Sequence, residues 1–479
     1  MTAKFRNSFL GNAAFSGGLH LIVKLTWIIG LETAIQRAIG TEAYGQYFAL
    51  FNLSVLFVSV LDPGLTNFFV RRVAAQPATI TLYLGSILAL KLLLSILYFV
   101  GLLVLGLVLQ KDGVQLSGLM LLGLAQLFFS MGQFFRAAFA AKGRFKLESL
   151  FANLDKLLLI VLVIPLLLQW LPFGAFSANH YIVAQVLAGL LGCALTVAVL
   201  GIQGNRPTLQ RSRKLVRTVL WKSGPYALLV LLMMGYVRLD GILLEFLHSP
   251  LQAGIYAGGF RFFDGFFQFS ALFTTILLPV FARNTLANSA KAHTFYSSLW
   301  VLTTMATALA LGVYFYGDYI SSVLYREDSA AIAVILKILT ISLIPLVWSL
   351  VSGAYLTAQG RLGFLNRVAF IVLIFSFFGN IIFVPAFGAE ATAWIALFCH
   401  SFSAISLTVA VLQQLKLSGK GFFLNLFLFA LIGSGGVVLS LSLTALPGLF
   451  VFIGFSGAVS LVLGYFHFRN YPGGIFPPV

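Results

Sequence analysis

Charge is what this 479-residue sequence has least of: Asp, Glu, Lys and Arg together make up 9% of it, and only 13 residues are acidic. An ordinary soluble domain carries about 25% charged residues. With 60% hydrophobic residues and a mean hydropathy of +1.00, the chain has too little polar surface to cover itself in water. A soluble globular enzyme is excluded. There are two cysteines, Cys193 and Cys399, both within apolar stretches, so there is no disulfide framework, no CxxC pair and no metal-ligand spacing. No GxxxxGK[ST], HExxH or GxSxG motif occurs, and no inter-span segment is long enough to fold a catalytic domain. The expectation is therefore a non-enzyme with no catalytic residues, no metal and no cofactor.

What is present in quantity is long apolar sequence. Fourteen stretches of spanning length fall near 11–36, 44–69, 80–109, 114–138, 147–170, 178–203, 218–246, 251–281, 294–316, 330–356, 364–386, 389–413, 421–445 and 448–468. None sustains a period of two, so they read as helices rather than barrel strands. The fold class expected is all-α, a polytopic membrane protein of about fourteen helices. The basic start, Met1 to Arg6, leads into a stretch too long for a signal-peptide core and reads as a retained first helix.

Alternate loops carry unequal positive charge. The loops on the side of the N-terminus hold 21 of the 30 Lys and Arg, the opposite loops hold Arg37, Lys111 and Arg326, and six lie within spans. The positive-inside rule then puts both termini in the cytoplasm. Orientation and contact with lipid headgroups account for the net charge of +17 without a nucleic-acid partner.

The chain also repeats itself. Gly45-Gln46-Tyr47 after span one corresponds to Gly254-Ile255-Tyr256 after span seven, 209 residues on. Ala141-Lys142-Gly143-Arg144 corresponds to Ala358-Gln359-Gly360-Arg361, and Pro172-Phe173-Gly174-Ala175 to Pro385-Ala386-Phe387-Gly388-Ala389. The matches keep their order and fall at equivalent loops. They divide the chain into an N-terminal six-helix bundle (1–203), a basic linker (204–217), a C-terminal six-helix bundle (218–413) and two further helices (414–479). An even number of spans per half makes the repeats parallel, related by an axis along the membrane normal.

These features, with Gly40-Thr41-Glu42-Ala43-Tyr44, Gly64-Leu65 to Arg71-Arg72, Lys222-Ser223-Gly224-Pro225, Arg238-Leu239-Asp240 and Arg261, resemble the polysaccharide, or O-antigen type oligosaccharide, flippases. That family belongs to the multidrug/oligosaccharidyl-lipid/polysaccharide (MOP) exporter superfamily. The resemblance covers almost the whole chain. It implies a MATE-like fold in the bacterial inner membrane that moves a polyprenyl-pyrophosphate-linked oligosaccharide, such as a lipopolysaccharide or exopolysaccharide repeat unit, to the outer face. Two rivals are a cation-coupled multidrug extruder of the same fold and a membrane-embedded glycan polymerase or ligase.

Charges inside spans are the informative residues, because each costs roughly 2.5–3.5 kcal/mol at mid-membrane unless it meets a partner or a wet cavity. Lys24, Arg238 and Arg261 are the candidates for a cationic cavity receiving the pyrophosphate head. Arg261 and Asp264, three apart, can equally pair along one helix. Asp62, Asp240 and Asp264 are candidates for binding a coupling H+ or Na+. Lys91, Lys156 and Lys337 are expected to snorkel towards an interface. Pro63-Gly64 and Gly224-Pro225 interrupt their spans and are read as hinges or fixed kinks. The Phe-rich run of span eight reads as packing surface, and His180 and His400 as hydrogen-bonded packing residues.

Overall fold

The computed structural model describes residues 26–76, 79–170, 174–202, 213–282 and 288–416, together with 18, 22–24 and 172. Spans thirteen and fourteen, His20 and most of the 204–217 linker lie outside the described residues. Within them the chain is helical. The helices follow the apolar stretches because a backbone in lipid has no water to satisfy its N–H and C=O groups and must bond to itself.

A π-helix, Thr26–Leu31, runs into α1, Glu32–Ile39, and completes span one. Span two is built in pieces: α2 (Thr41–Leu56), α3 (Val58–Leu61) and α4 (Leu65–Ala75). Then follow α5 (Ile80–Val108), α6 (Gly113–Ala141), α7 (Phe145–Leu167), α8 (Ala178–Ile202) and α9 (Arg213–Leu247). After these come α10 (Pro250–Phe281), α11 (Asn288–Leu324), α12 (Ser329–Ile341), α13 (Leu343–Ala358) and α14 (Leu362–Leu415). Every expected span from the second to the twelfth falls on these helices: the second on three consecutive pieces, the tenth on two, and the eleventh and twelfth together on α14. Among the described residues, nine helical segments are long and apolar enough to cross a membrane.

The chain forms two compact units, Met1–Gly254 and Ile255–Val479. In the first, α6 lies centrally, packed on α8, α5, α2 and α4, while α7 packs on α8. Its interior holds Phe69, Leu84, Phe134, Phe139 and Leu200, all essentially buried. Span seven, α9, packs on α2, so it belongs by packing to the first unit. The boundary between the compact units therefore falls after span seven, downstream of the 204–217 linker that separates the sequence repeats.

In the second unit α11 packs on α12 and α13, and α14 packs on α13 and α12. The 54-residue α14 is two spans. Gly388 has φ 56° and ψ −135°, outside helical space, and contacts pair residues on either side of it in antiparallel order. Thr392 donates to Asn380 Oδ1 at 2.9 Å, Cys399 faces the Val372 carbonyl, and Phe375 meets Phe398 edge-on. A hairpin folded at Gly388 accounts for all three.

Candidate functional site

The polar residues of the first unit gather in four places. The first is the break in span two. Asp62 leaves helical space (φ −145°, ψ 76°) and Gly64 takes the left-handed conformation (φ 82°, ψ 15°), which glycine reaches without a Cβ clash. Pro63 lies between them. The Asp62 carboxylate then turns onto the new helix: Oδ1 accepts from the Thr66 amide at 3.1 Å, and Oδ2 accepts from the Thr66 hydroxyl. Lys91 of α5 donates to Asp62 Oδ2 at 3.0 Å and to Ser130 of α6 at 2.9 Å, and it is 1% exposed. Lys91 does not snorkel as the sequence suggested. An acceptor 29 residues away holds it inside, where its charge is paired and costs less than in lipid.

The second place surrounds Glu32, at the start of α1. One carboxylate oxygen accepts from the Tyr44 hydroxyl and the other from the Tyr181 hydroxyl, and all three side chains are buried. Trp27 donates its indole N–H to Tyr181 at 3.4 Å, and Gln185 donates to Tyr47 at 2.8 Å. Lys156 stands 4.1 Å from the Trp27 ring centroid and 4.8 Å from that of Phe129, with Asp155 at 3.5 Å. It too is held by neighbours. Lys24 lies half-buried just before the π-helix.

The third and fourth places are on α9. Arg238 donates to Asn52 Oδ1 of α2 at 3.2 Å, and Asp240 is buried at 4% exposure. One face further along, Glu245 forms an ion pair with Lys111, each side chain less than a tenth exposed. Arg238 and Glu245 lie seven residues apart on one helix, yet the two go to different neighbours. Gly224 is exposed and lies within a continuous α9, without the break seen at Pro63-Gly64; the side chain of Pro225 is outside the described set.

In the second unit Arg261 of α10 is 5% exposed. It donates to the Tyr325 hydroxyl at 3.4 Å and lies 5.6 Å from that ring's centroid. Tyr325 in turn donates to the Gly258 carbonyl at 2.9 Å, fixing the phenol against α10. Asp264 is half-buried one turn on. Phe260 and Phe263 of the aromatic run are buried, and Phe263 stacks on His400 at 5.2 Å, consistent with packing roles. Lys337 pairs with the exposed Asp318 at 2.6 Å.

Sequence reasoning found the charges and missed their uncharged partners. Asn52, Tyr181 and Ser130 carry no charge, so a search for ionised groups in apolar stretches passes over them. Tyr44 had a signal, since it adjoins the repeated Gly-x-Tyr.

Spanning helices, a broken second span and a hairpin of spans eleven and twelve define a multi-pass membrane protein, and solved structures give its fold class. The lipid II flippase MurJ, in an inward closed conformation, is similar with a TM-score of 0.71 and 14% identity over 96% of this chain and 99% of that one. An inward-facing MATE multidrug-resistance transporter of the MOP superfamily gives 0.64, with 13% identity over 83% and 98%. A MOP superfamily transporter from Pyrococcus furiosus, described by the reversed polarity of its binding pocket, gives 0.59, with 13% identity over 84% and 95%. The fold is that of MOP superfamily transporters. The sequence profile described as "Polysaccharide biosynthesis protein" matches residues 10–285, and the chain belongs to that family. No curated protein sequence matches it.

Proposed function

We propose that this protein is a flippase that carries a polyprenyl-pyrophosphate-linked oligosaccharide from the cytoplasmic to the outer face of the inner membrane. The six-helix repeats 1–203 and 218–413 would alternate access, with both termini cytoplasmic. The observation that carries this reading is the match to a polysaccharide-biosynthesis family on a chain that is itself a bundle of spanning helices. A glycan assembled in the cytoplasm and bound to a lipid has a tail that stays in hydrocarbon. Its charged head cannot cross that layer unneutralised.

Lys24, Arg238 and Arg261 are proposed to neutralise the head. A guanidinium is planar and permanently charged, and its N–H fork matches phosphate oxygens. Arg238, half-buried beside the neutral amide of Asn52, is the foremost of the three. Arg261 is held against Tyr325 in the described state, so it joins the path in a state where that contact opens.

Ion coupling, by H+ or Na+, is assigned to Asp240 and Asp264. Asp62 was a third candidate, but its two oxygens already serve Lys91 and Thr66, which favours a structural role. Asp240→Asn should abolish ion-driven transport in vesicles; unchanged driving would remove Asp240 from the coupling.

The test of the whole reading is a deletion strain. Lipid-linked repeat units should accumulate on the cytoplasmic face and be cleared by the native gene. Normal export with unpolymerised glycan outside would indicate a polymerase instead. Unaltered glycan with drug sensitivity would indicate a multidrug extruder.

A further inference from the structure

Lys156 is the middle residue of α7, eleven residues from Phe145 at one end and eleven from Leu167 at the other. At 1.5 Å per residue each end is about 16 Å away, farther than a lysine side chain reaches. Its charge is therefore met inside the helix bundle. The ammonium stands 4.1 Å from the ring centroid of Trp27 and 4.8 Å from that of Phe129, with Asp155 Oδ2 at 3.5 Å. Two aromatic faces and a carboxylate form a box around a cation.

Three elements hold the walls in place. A π-helix is a rare turn that re-aims side chains. The one at Thr26–Leu31 sets Trp27 so that its indole N–H donates to Tyr181 at 3.4 Å while the ring meets the ammonium. Phe129 of α6 is backed by α8, where a Cβ built on Gly189 would lie 3.0 Å from the ring. Gly192 of α8 lets that helix approach the α7 backbone, its Cβ position being 3.8 Å from Asp155 Cα. Behind Trp27, Tyr181 donates to the Glu32 carboxylate.

Ring faces carry negative potential and attract ammonium and quaternary ammonium groups, the more strongly where water is excluded. In a chain of net charge +17 this box has the opposite sign. Its occupant is tethered to the wall, at an effective concentration that a free cation must outcompete. We propose that the Trp27/Phe129 box is an organic-cation binding site that the chain closes with its own Lys156. Lys156 thus determines specificity, denying this part of the first unit to cationic compounds. Its bearing on the choice of cargo rests on the flippase reading; the binding does not.

The test uses the purified full-length protein and tetramethylammonium chloride, with sodium chloride at equal concentration as the reference. The unfolding temperature of the native protein should be the same in both salts. In Lys156→Ala, which empties the box, tetramethylammonium should raise it, with a half-maximal concentration at least about tenfold below any seen with the native protein. Adding Trp27→Leu should remove the gain. No gain in the folded Lys156→Ala protein, or a gain that survives Trp27→Leu, would overturn the proposal.

If Lys156→Ala fails to fold, acylation of the amine in proteins that keep Lys156 replaces it. An amine-reactive ester should modify Lys156 far more slowly than the exposed Lys142 and Lys146. Trp27→Leu should speed modification of Lys156 about tenfold, whereas Trp27→Phe, which keeps a ring face, should leave it slow. Equal rates in the Leu and Phe variants would overturn the box. These measurements need no glycan, so their failure is distinct from failure of the flippase reading, which the deletion strain decides.

Discussion

Lys91 is a cation buried inside the first unit, joined by Asp62 and Ser130. Removing one partner of such a pair leaves the other charge buried alone, at a cost of about 3–5 kcal/mol. Asp62→Asn should therefore lower the unfolding temperature of the detergent-solubilised protein sharply. Adding Lys91→Met to Asp62→Asn should recover most of the loss; a double variant no better than the single would contradict the pairing. Arg238 is expected to behave differently, because the role proposed for it is in transport. Arg238→Ala should cut glycan export about tenfold, equivalent to about 1.4 kcal/mol, with unfolding changed far less. Arg238→Lys should restore only a fraction, since an ammonium keeps the charge and loses the fork. At this scale the sequence showed which positions hold charge. It could not show that Lys91 reaches across 29 residues to Asp62, or that Asn52, a neutral residue on another helix, meets Arg238. Such pairings are set by tertiary packing and leave no periodic trace.

Single helices were far more legible. The expected span 80–109 is α5 at Ile80–Val108, and 178–203 is α8 at Ala178–Ile202, because an apolar run long enough to cross lipid has no other structure available to it. Discrepancies arise where helices extend past their apolar stretch. The span expected at 294–316 is α11 at Asn288–Leu324, whose polar first turn, with the buried Lys291, dilutes the hydropathy signal at its start. Pro63-Gly64 signalled a break that the structure contains. Gly388 signalled a loop, but the chain turns there with a single non-helical residue between two helices. A side chain at φ 56° and ψ −135° is strained by about 1–3 kcal/mol. Gly388→Ala should accordingly lower the unfolding temperature, whereas Gly353→Ala, in open helical space, should not; equal stability of the two would contradict the hairpin.

For the whole molecule, asymmetry of positive charge predicts which ends of the helices face the cytoplasm. Lys142 and Asp112 lie at opposite ends of α6 and are both exposed. In the intact cell an impermeant thiol reagent should label Asp112→Cys and leave Lys142→Cys untouched until the membrane is opened. The reverse pattern would invert the topology. The repeated loops place a division at the 204–217 linker, whereas the compact units part after Gly254, with span seven attached to the first. That attachment depends on α9 packing along α2, and a repeat boundary does not report on packing.

The most direct test of the central claim is reconstitution of the purified protein into liposomes loaded with a polyprenyl-pyrophosphate-linked oligosaccharide. A glycosidase added outside digests only outer-leaflet glycan. Native protein under an ion gradient should bring nearly all of the glycan within its reach, and Arg238→Ala should do so much more slowly. Glycan that stays divided between the leaflets, as in protein-free liposomes, would contradict the account.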